Sequence, residues 1–165
     1  MGLEEHRRKG PEKVRCAIIV TSDTRKAQTD KSGSTINQLL QDAGHEITDY
    51  RIVPNSATSV ADALEAALES SQVVVVSGGT GVSKKDITVD VVEPLFERKL
   101  SGFGELFRHL SYREIGSATI VSRAVAGTIG ATVIFCLPGS EGAVKLAMRE
   151  LILPEISHIV GELEK

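Results

Sequence analysis

Apolar residues along the chain fall into two kinds of pattern. Val14–Val20 and Val73–Val76 are short, continuous, β-branched runs, which predict strands buried on both faces of a parallel sheet. Glu46–Val53 alternates instead and predicts a strand nearer the sheet edge. Between these runs the spacing lengthens. Ile36, Leu39, Leu40 and Ala43 form one helical stripe, predicting a helix over Ser34–Ala43 that Gly44 ends. Val60, Ala63, Leu64, Ala67 and Leu68 form another over Ser59–Glu69.

Beyond the valine run, Val89–Phe96 predicts a helix that Pro94 kinks or ends, with Asp86 and Thr88 as start signals. A helix follows over Ser101–Tyr112. The stretch Ala118–Leu137 is β-rich, with a turn at Thr128–Ala131 and a strand over Thr132–Leu137. Two helices, Ala143–Leu151 and Pro154–Leu163, close the chain. Strands alternating with helices in this order predict a Rossmann-like, three-layer α/β/α sandwich with a mostly parallel sheet. Residues 1–13 read as a flexible polar segment and residues 14–165 as a single domain, a size that suits one core.

Composition narrows the functions open to this fold. Aromatic residues are 4% of the 165, with no Trp, which argues against a platform for stacked bases. The net charge of −3 gives no field to recruit nucleic acid. Arg7, Arg8 and Lys9 are diluted by Glu4, Glu5 and Glu12. Cys16 and Cys136 lie in apolar runs and read as reduced packing residues, as in a cytoplasmic protein. His6, His45, His109 and His158 are scattered without metal-ligand spacing. No apolar run approaches the roughly 20 residues of a membrane span.

Ligands of open parallel sheets bind beyond the carboxyl ends of the strands. Polar groups collect there: Ser22 and Asp23, then Asn55 and Ser56, then Ser77-Gly78-Gly79-Thr80-Gly81, and finally Pro138-Gly139-Ser140. Three glycines in four residues let backbone approach a ligand closely and turn N–H groups into an anion nest. Thr80 adds a hydroxyl. Lys84 and Lys85 can neutralise phosphate, and Asp86 and Asp90 can hold Mg²⁺ through oxygen. Neither GxxxxGK[ST] nor GxGxxG is present, so the usual nucleotide fingerprints are excluded. For Asp86 alone, the plain alternative is the cap of the following helix.

The stretch SGGTGVSKKDITVD, residues 77–90, resembles the signature loop of the MoaB/MogA family of molybdenum cofactor biosynthesis proteins, which includes the gephyrin G domain. Thr21–Thr24, Asp30–Gly33, Ser101–Glu105, Phe107–Ser111, Ser122–Gly127 and Leu137–Ser140 match the family's pattern in order. The resemblance spans about Val14 to Ile156 and is nearer the MoaB branch. It implies molybdopterin adenylyltransferase activity, in which AMP passes from Mg-ATP to the pterin's terminal phosphate before metal insertion. Asp86 matches the catalytic aspartate, with Asp86 and Asn55 as the metal positions. The substrate positions implied are Ser22, Asp23, Ser77, Gly78, Gly79, Thr80, Gly81, Thr88, Gly102, Phe103, Gly104, Glu105, Ser122, Arg123, Pro138, Gly139 and Ser140. Cofactor Mg²⁺, substrates ATP and molybdopterin, a metal-insertion protein as partner, and a homotrimer or homohexamer are also implied. One position departs from the pattern. MogA-like relatives carry Asp after the proline that ends the second strand, where this chain has Asn55. A pterin or nucleotide carrier without turnover is therefore the alternative expectation.

Overall fold

The computed structural model describes residues 2–165; Met1 and the side chain of His6 lie outside the described residues. Helix α1 (Leu3–Arg7) leads to strand β1 (Arg15–Thr21), helix α2 (Lys31–Asp42), strand β2 (Glu46–Val53), helix α3 (Ala57–Ser70) and strand β3 (Val73–Ser77). Then come helix α4 (Thr88–Val92), strand β4 (Arg98–Lys99), helix α5 (Ser101–Ile115), strands β5 (Val125–Ile129) and β6 (Thr132–Leu137), and helices α6 (Glu141–Ala147) and α7 (Leu153–Leu163). The six strands form one sheet in the order β2-β1-β3-β6-β5-β4. The first four are mutually parallel, and β5 runs antiparallel to both of its neighbours.

The sheet divides two apolar cores, which makes the predicted three-layer sandwich. Val73 and Val75 face α2, α5, α6 and α7 through Leu40, Phe107, Val144 and Ile156. Val74 and Val76 face α3 and α4 through Leu64 and Val92. An unbroken valine run is what a strand buried on both faces requires, because successive side chains point to opposite sides. Each valine fully removed from water contributes about 1.5–3 kcal/mol.

Several boundaries move for identifiable reasons. Helix α2 begins at Lys31 rather than Ser34, because Asp30 is its cap and accepts from Gly33 N–H at 3.0 Å. Helix α3 begins at Ala57, capped by Ser56. Pro94 turns the end of α4 into a 3₁₀ turn over Glu93–Leu95. Asp86 does not cap α4, whose cap is Ile87 with no side-chain bond. The predicted β-rich stretch holds a 3₁₀ segment over Gly116–Val121 before β5, with Ile120 86% exposed and so no sheet face to bury. Strand β4 escapes the pattern entirely: two charged residues pair with β5 through backbone alone. The last two helices are joined by a π turn over Met148–Ile152, where Pro154 offers no N–H to the preceding turn. Among the described residues, no helix is long and apolar enough to cross a membrane. Arg7 of α1 pairs with Glu155 of α7.

This topology fixes where a ligand can sit. From β1 the chain leaves to β2 by way of α2 on one face. From β3 it leaves toward α4 on the other. The loops after β1 and β3 therefore part at their carboxyl ends and open a crevice, as at other topological switch points.

Candidate functional site

A polar cavity of about 380 Å³ occupies that crevice. Thr21, Ser22, Asp23, Thr24 and Arg25 line it from the loop after β1, and Asn55 from the end of β2. Gly78, Gly79, Lys85 and Asp86 line it from the loop after β3, and Gly139 from the loop after β6. Every parallel strand thus contributes its carboxyl end.

The loop after β3 depends on its glycines. Gly78 and Gly79 adopt φ of +103° and +70°, which side-chain-bearing residues rarely do. A Cβ on Gly78 would lie 2.6 Å from Thr21 O, and one on Gly79 would collide with Thr88 Oγ1. Gly78 N–H donates to Leu137 O at 2.8 Å, tying the loop to β6. The N–H groups of Gly79, Thr80 and Gly81 make no hydrogen bond among the described residues, as an anion nest requires. A helix dipole contributes little here, since α4 has five residues and starts only at Thr88.

Arg123 clamps this loop from behind. Its backbone N–H donates to Thr80 O and its Nε to Gly81 O, at 2.9 and 2.8 Å. Its Nη2 donates to Asp86 O at 2.9 Å, and the guanidinium forks onto both carboxylate oxygens of Asp90 at 2.9 and 3.0 Å. This pairing holds the Asp90 carboxyl below its usual range and raises Arg123. Arg123 and Asp90, both candidates for ligand contact from the sequence, are engaged here with each other, and Arg123 also with the loop's backbone. Beneath the loop, Thr88 is fully buried, and its hydroxyl donates to Gly78 O at 2.8 Å. Thr88 thus supports the glycines from below.

Asp86 holds the next turn, accepting from Ser83 N–H at 2.9 Å through Oδ2. A Cβ on Gly81 would lie 2.7 Å from that oxygen. Asp23 accepts from Asn55 N–H at 2.9 Å. That bond, followed by one from the Asn55 side chain and the charge of Lys85, holds the Asp23 carboxyl below its usual range. Asn55 Oδ1 is buried and has no hydrogen-bond partner among the described residues. No group of three or more His, Cys, Asp or Glu forms a metal cluster among those residues. Two carboxylates and a free amide oxygen nevertheless fit a hard cation that keeps several of its waters, as Mg²⁺ does.

Of the positions implied by the sequence, the cavity brings together Ser22, Asp23, Asn55, Gly78, Gly79, Asp86 and Gly139. Ser77 is buried, its hydroxyl 3.5 Å from Pro138 O. Thr80 is 3% exposed. Ser140 caps α6 by accepting from Ala143 N–H. Ser122 Oγ is buried away from the cavity lining. Residues 102–105 also lie off the cavity. Phe103 packs on Phe107 and Phe135 in the core, and with Gly102 lines a separate apolar cavity. Gly104 and Glu105 line a small cleft with Arg108. Thr21 and Thr24, matched to the family's pattern but not assigned a role, line the cavity too, and sequence reasoning missed Arg25. Arg25 donates to Ser32 Oγ at 2.6 Å and to Gly139 O at 2.8 Å, so it bridges two of the ligand loops. Its signal was a cation two residues after Asp23 in a strand-end loop.

A mostly parallel α/β sheet with a polar cavity of mixed charge at its switch point describes a ligand-binding class, and comparison with known proteins narrows it. Residues 17–158 match the family described as "Probable molybdopterin binding domain". Molybdenum cofactor biosynthesis protein B of Bacillus cereus is 48% identical over 168 aligned positions, covering 100% of this chain and 99% of that protein. A crystal structure of a molybdenum cofactor biosynthesis protein B superposes with a TM-score of 0.90 at 50% identity, covering 93% of this chain and 98% of that one. The tungsten cofactor synthesizing protein MoaB from Pyrococcus furiosus gives 0.85 at 38% identity, covering 94% and 99%. The chain therefore belongs to the molybdopterin-binding-domain family of molybdenum cofactor biosynthesis proteins, on its MoaB side.

Proposed function

We propose that the protein is a molybdopterin adenylyltransferase that transfers AMP from Mg-ATP to the terminal phosphate of molybdopterin. The observation that carries this reading is the grouping of Gly78, Gly79, Asp86, Asp23 and Asn55, with its unpartnered Oδ1, on one cavity at the switch point. The free N–H of Gly79 meets phosphate at the cavity wall, and Lys85 and Arg25 offset its charge. Asp86, Asp23 and Asn55 Oδ1 would hold the cation. Mg²⁺ held there would supply positive charge against the charge that develops on phosphate during transfer. The Arg123–Asp90 clamp keeps the nest and Asp86 in fixed relation, so little reorganisation accompanies reaction.

Asn55 removes one negative charge from the position where MogA-like relatives carry Asp. Asp23, hydrogen-bonded to Asn55 and held ionised, supplies a carboxylate beside it. This favours turnover over the carrier reading. Cytoplasmic location, delivery of the product to a metal-insertion protein, and assembly into a homotrimer or homohexamer belong to the same proposal. Tyr112, Ile115, Ile120 and Val121 are exposed at the end of α5 and in the turn after it, apolar surface that a second copy would cover. Light scattering would read assembly as three or six times 17.6 kDa, whereas a monomer would contradict it.

The direct test mixes the protein, molybdopterin and Mg-ATP and measures pyrophosphate. Release that requires all three is expected. Bound pterin with no pyrophosphate above background would leave the carrier function instead.

A further inference from the structure

Arg25 lines a second cavity, of about 400 Å³, as well as the first. Its side chain is thus a wall common to both. The other lining residues are Lys26, Ala27, Tyr50 and Ile52. Each cavity falls within the roughly 300–1,000 Å³ typical of small-ligand sites. The two differ in chemistry. The first is charged and lined by backbone, whereas the second offers an aromatic ring and aliphatic side chains next to two cations.

Tyr50 stands on β2, the edge strand, and is 37% exposed although it is a large apolar residue. Its position is nevertheless fixed. Its hydroxyl donates to Asp30 Oδ2, and Asp30 is 3% exposed. Asp30 is held in turn by Gly33 N–H at 3.0 Å and by the Ser32 hydroxyl at 3.3 Å. A Cβ on Gly33 would collide with both Asp30 Oδ2 and Tyr50 Oη, so glycine is what lets this contact form. The burial and the Asp30 bond also push the phenol's pKa up, keeping it a donor. Arg25 belongs to the same cluster through Ser32. An edge-strand tyrosine anchored to a buried carboxylate keeps its orientation with no ligand bound. Such a preformed aromatic face next to a phosphate cradle suits a ring carried on a phosphate arm.

We propose that the Tyr50 cavity receives the fused nitrogen heterocycle of the ligand whose phosphates occupy the glycine-loop cavity, with Arg25 at the boundary between ring and phosphate. This rests on the phosphate role proposed for the first cavity. The ring stacks on Tyr50 and contacts Ile52 and Ala27, and the Arg25 and Lys26 cations lie within reach of ring nitrogens and oxygens. Purine and pterin share this chemistry.

Calorimetric titration of the full chain with AMP, with ribose 5-phosphate and with a pterin carrying a phosphate side arm tests it. In the wild type, AMP or the pterin phosphate should bind about tenfold tighter than ribose 5-phosphate. Tyr50→Ala should abolish that advantage and leave ribose 5-phosphate affinity unchanged. Tyr50→Phe, which keeps the ring, should retain most of it. Whichever ring loses affinity in Tyr50→Ala identifies the source. Equal binding of all three ligands by the wild type would overturn the proposal, as would an equal loss for all three in Tyr50→Ala. So would a change of mass in light scattering on Tyr50→Ala, which would make this face a contact between copies. Failure of ribose 5-phosphate itself to bind would instead overturn the phosphate role of the first cavity.

Discussion

Asn55 and Asp23 show how much a single hydrogen bond can alter a charge argument. The sequence alone places an amide where a carboxylate is expected in MogA-like relatives. The fold sets Asp23 against it across 32 residues of sequence, with Asn55 N–H as donor. Asp23→Asn should therefore lower Mg²⁺ affinity about tenfold or more, and Asn55→Asp should raise it, both read by calorimetry. The pH dependence has a definite sign. A carboxyl held below its usual range keeps its charge as pH falls, so its contribution is present above the ordinary value of 3.8 and lost only below it. Affinity should hold steady from about pH 7 to about pH 5. A wild-type affinity that Asp23→Asn leaves untouched would remove Asp23 from the site. Residue types at strand ends were legible in the sequence, whereas their partners were not, because Asn55–Asp23 and Arg25–Gly139 are contacts that only the folded sheet creates.

At the scale of elements, the strands read clearly because burial on both faces leaves an unbroken β-branched run. The pieces that escaped have no such pattern. Strand β4 is two charged residues on an edge, and the 3₁₀ turn after α5 exposes its apolar side chains. The loop after β3 was recognisable from its glycines, but its supports were not. The resemblance implies Thr88 and Arg123 as substrate positions, and the structure turns both toward backbone carbonyls. Gly79→Ala should accordingly destabilise the fold by about 1–3 kcal/mol, since the residue needs φ of +70° and its Cβ would collide with Thr88. Urea unfolding would measure this, and an unchanged midpoint would show that the loop is not held from below by Thr88.

Over the whole molecule, the order of elements was enough to give the three-layer sandwich. The parting of β1 and β3 then gives the location of the cavity. What element order could not supply is which loops converge there. The loops after β1, β2, β3 and β6 do so, while Gly102 and Phe103 line a separate apolar cavity and Gly104 and Glu105 a small cleft. The central claim is that phosphate chemistry takes place in the cavity where Asp86 faces the glycine nest. Asp86→Asn preserves an acceptor for Ser83 N–H, so the fold should survive with an unchanged melting temperature. Pyrophosphate release from Mg-ATP in the presence of molybdopterin should then fall by ~100-fold or more, with pterin affinity within about threefold of wild type. Release at the wild-type rate by the folded variant would contradict the account.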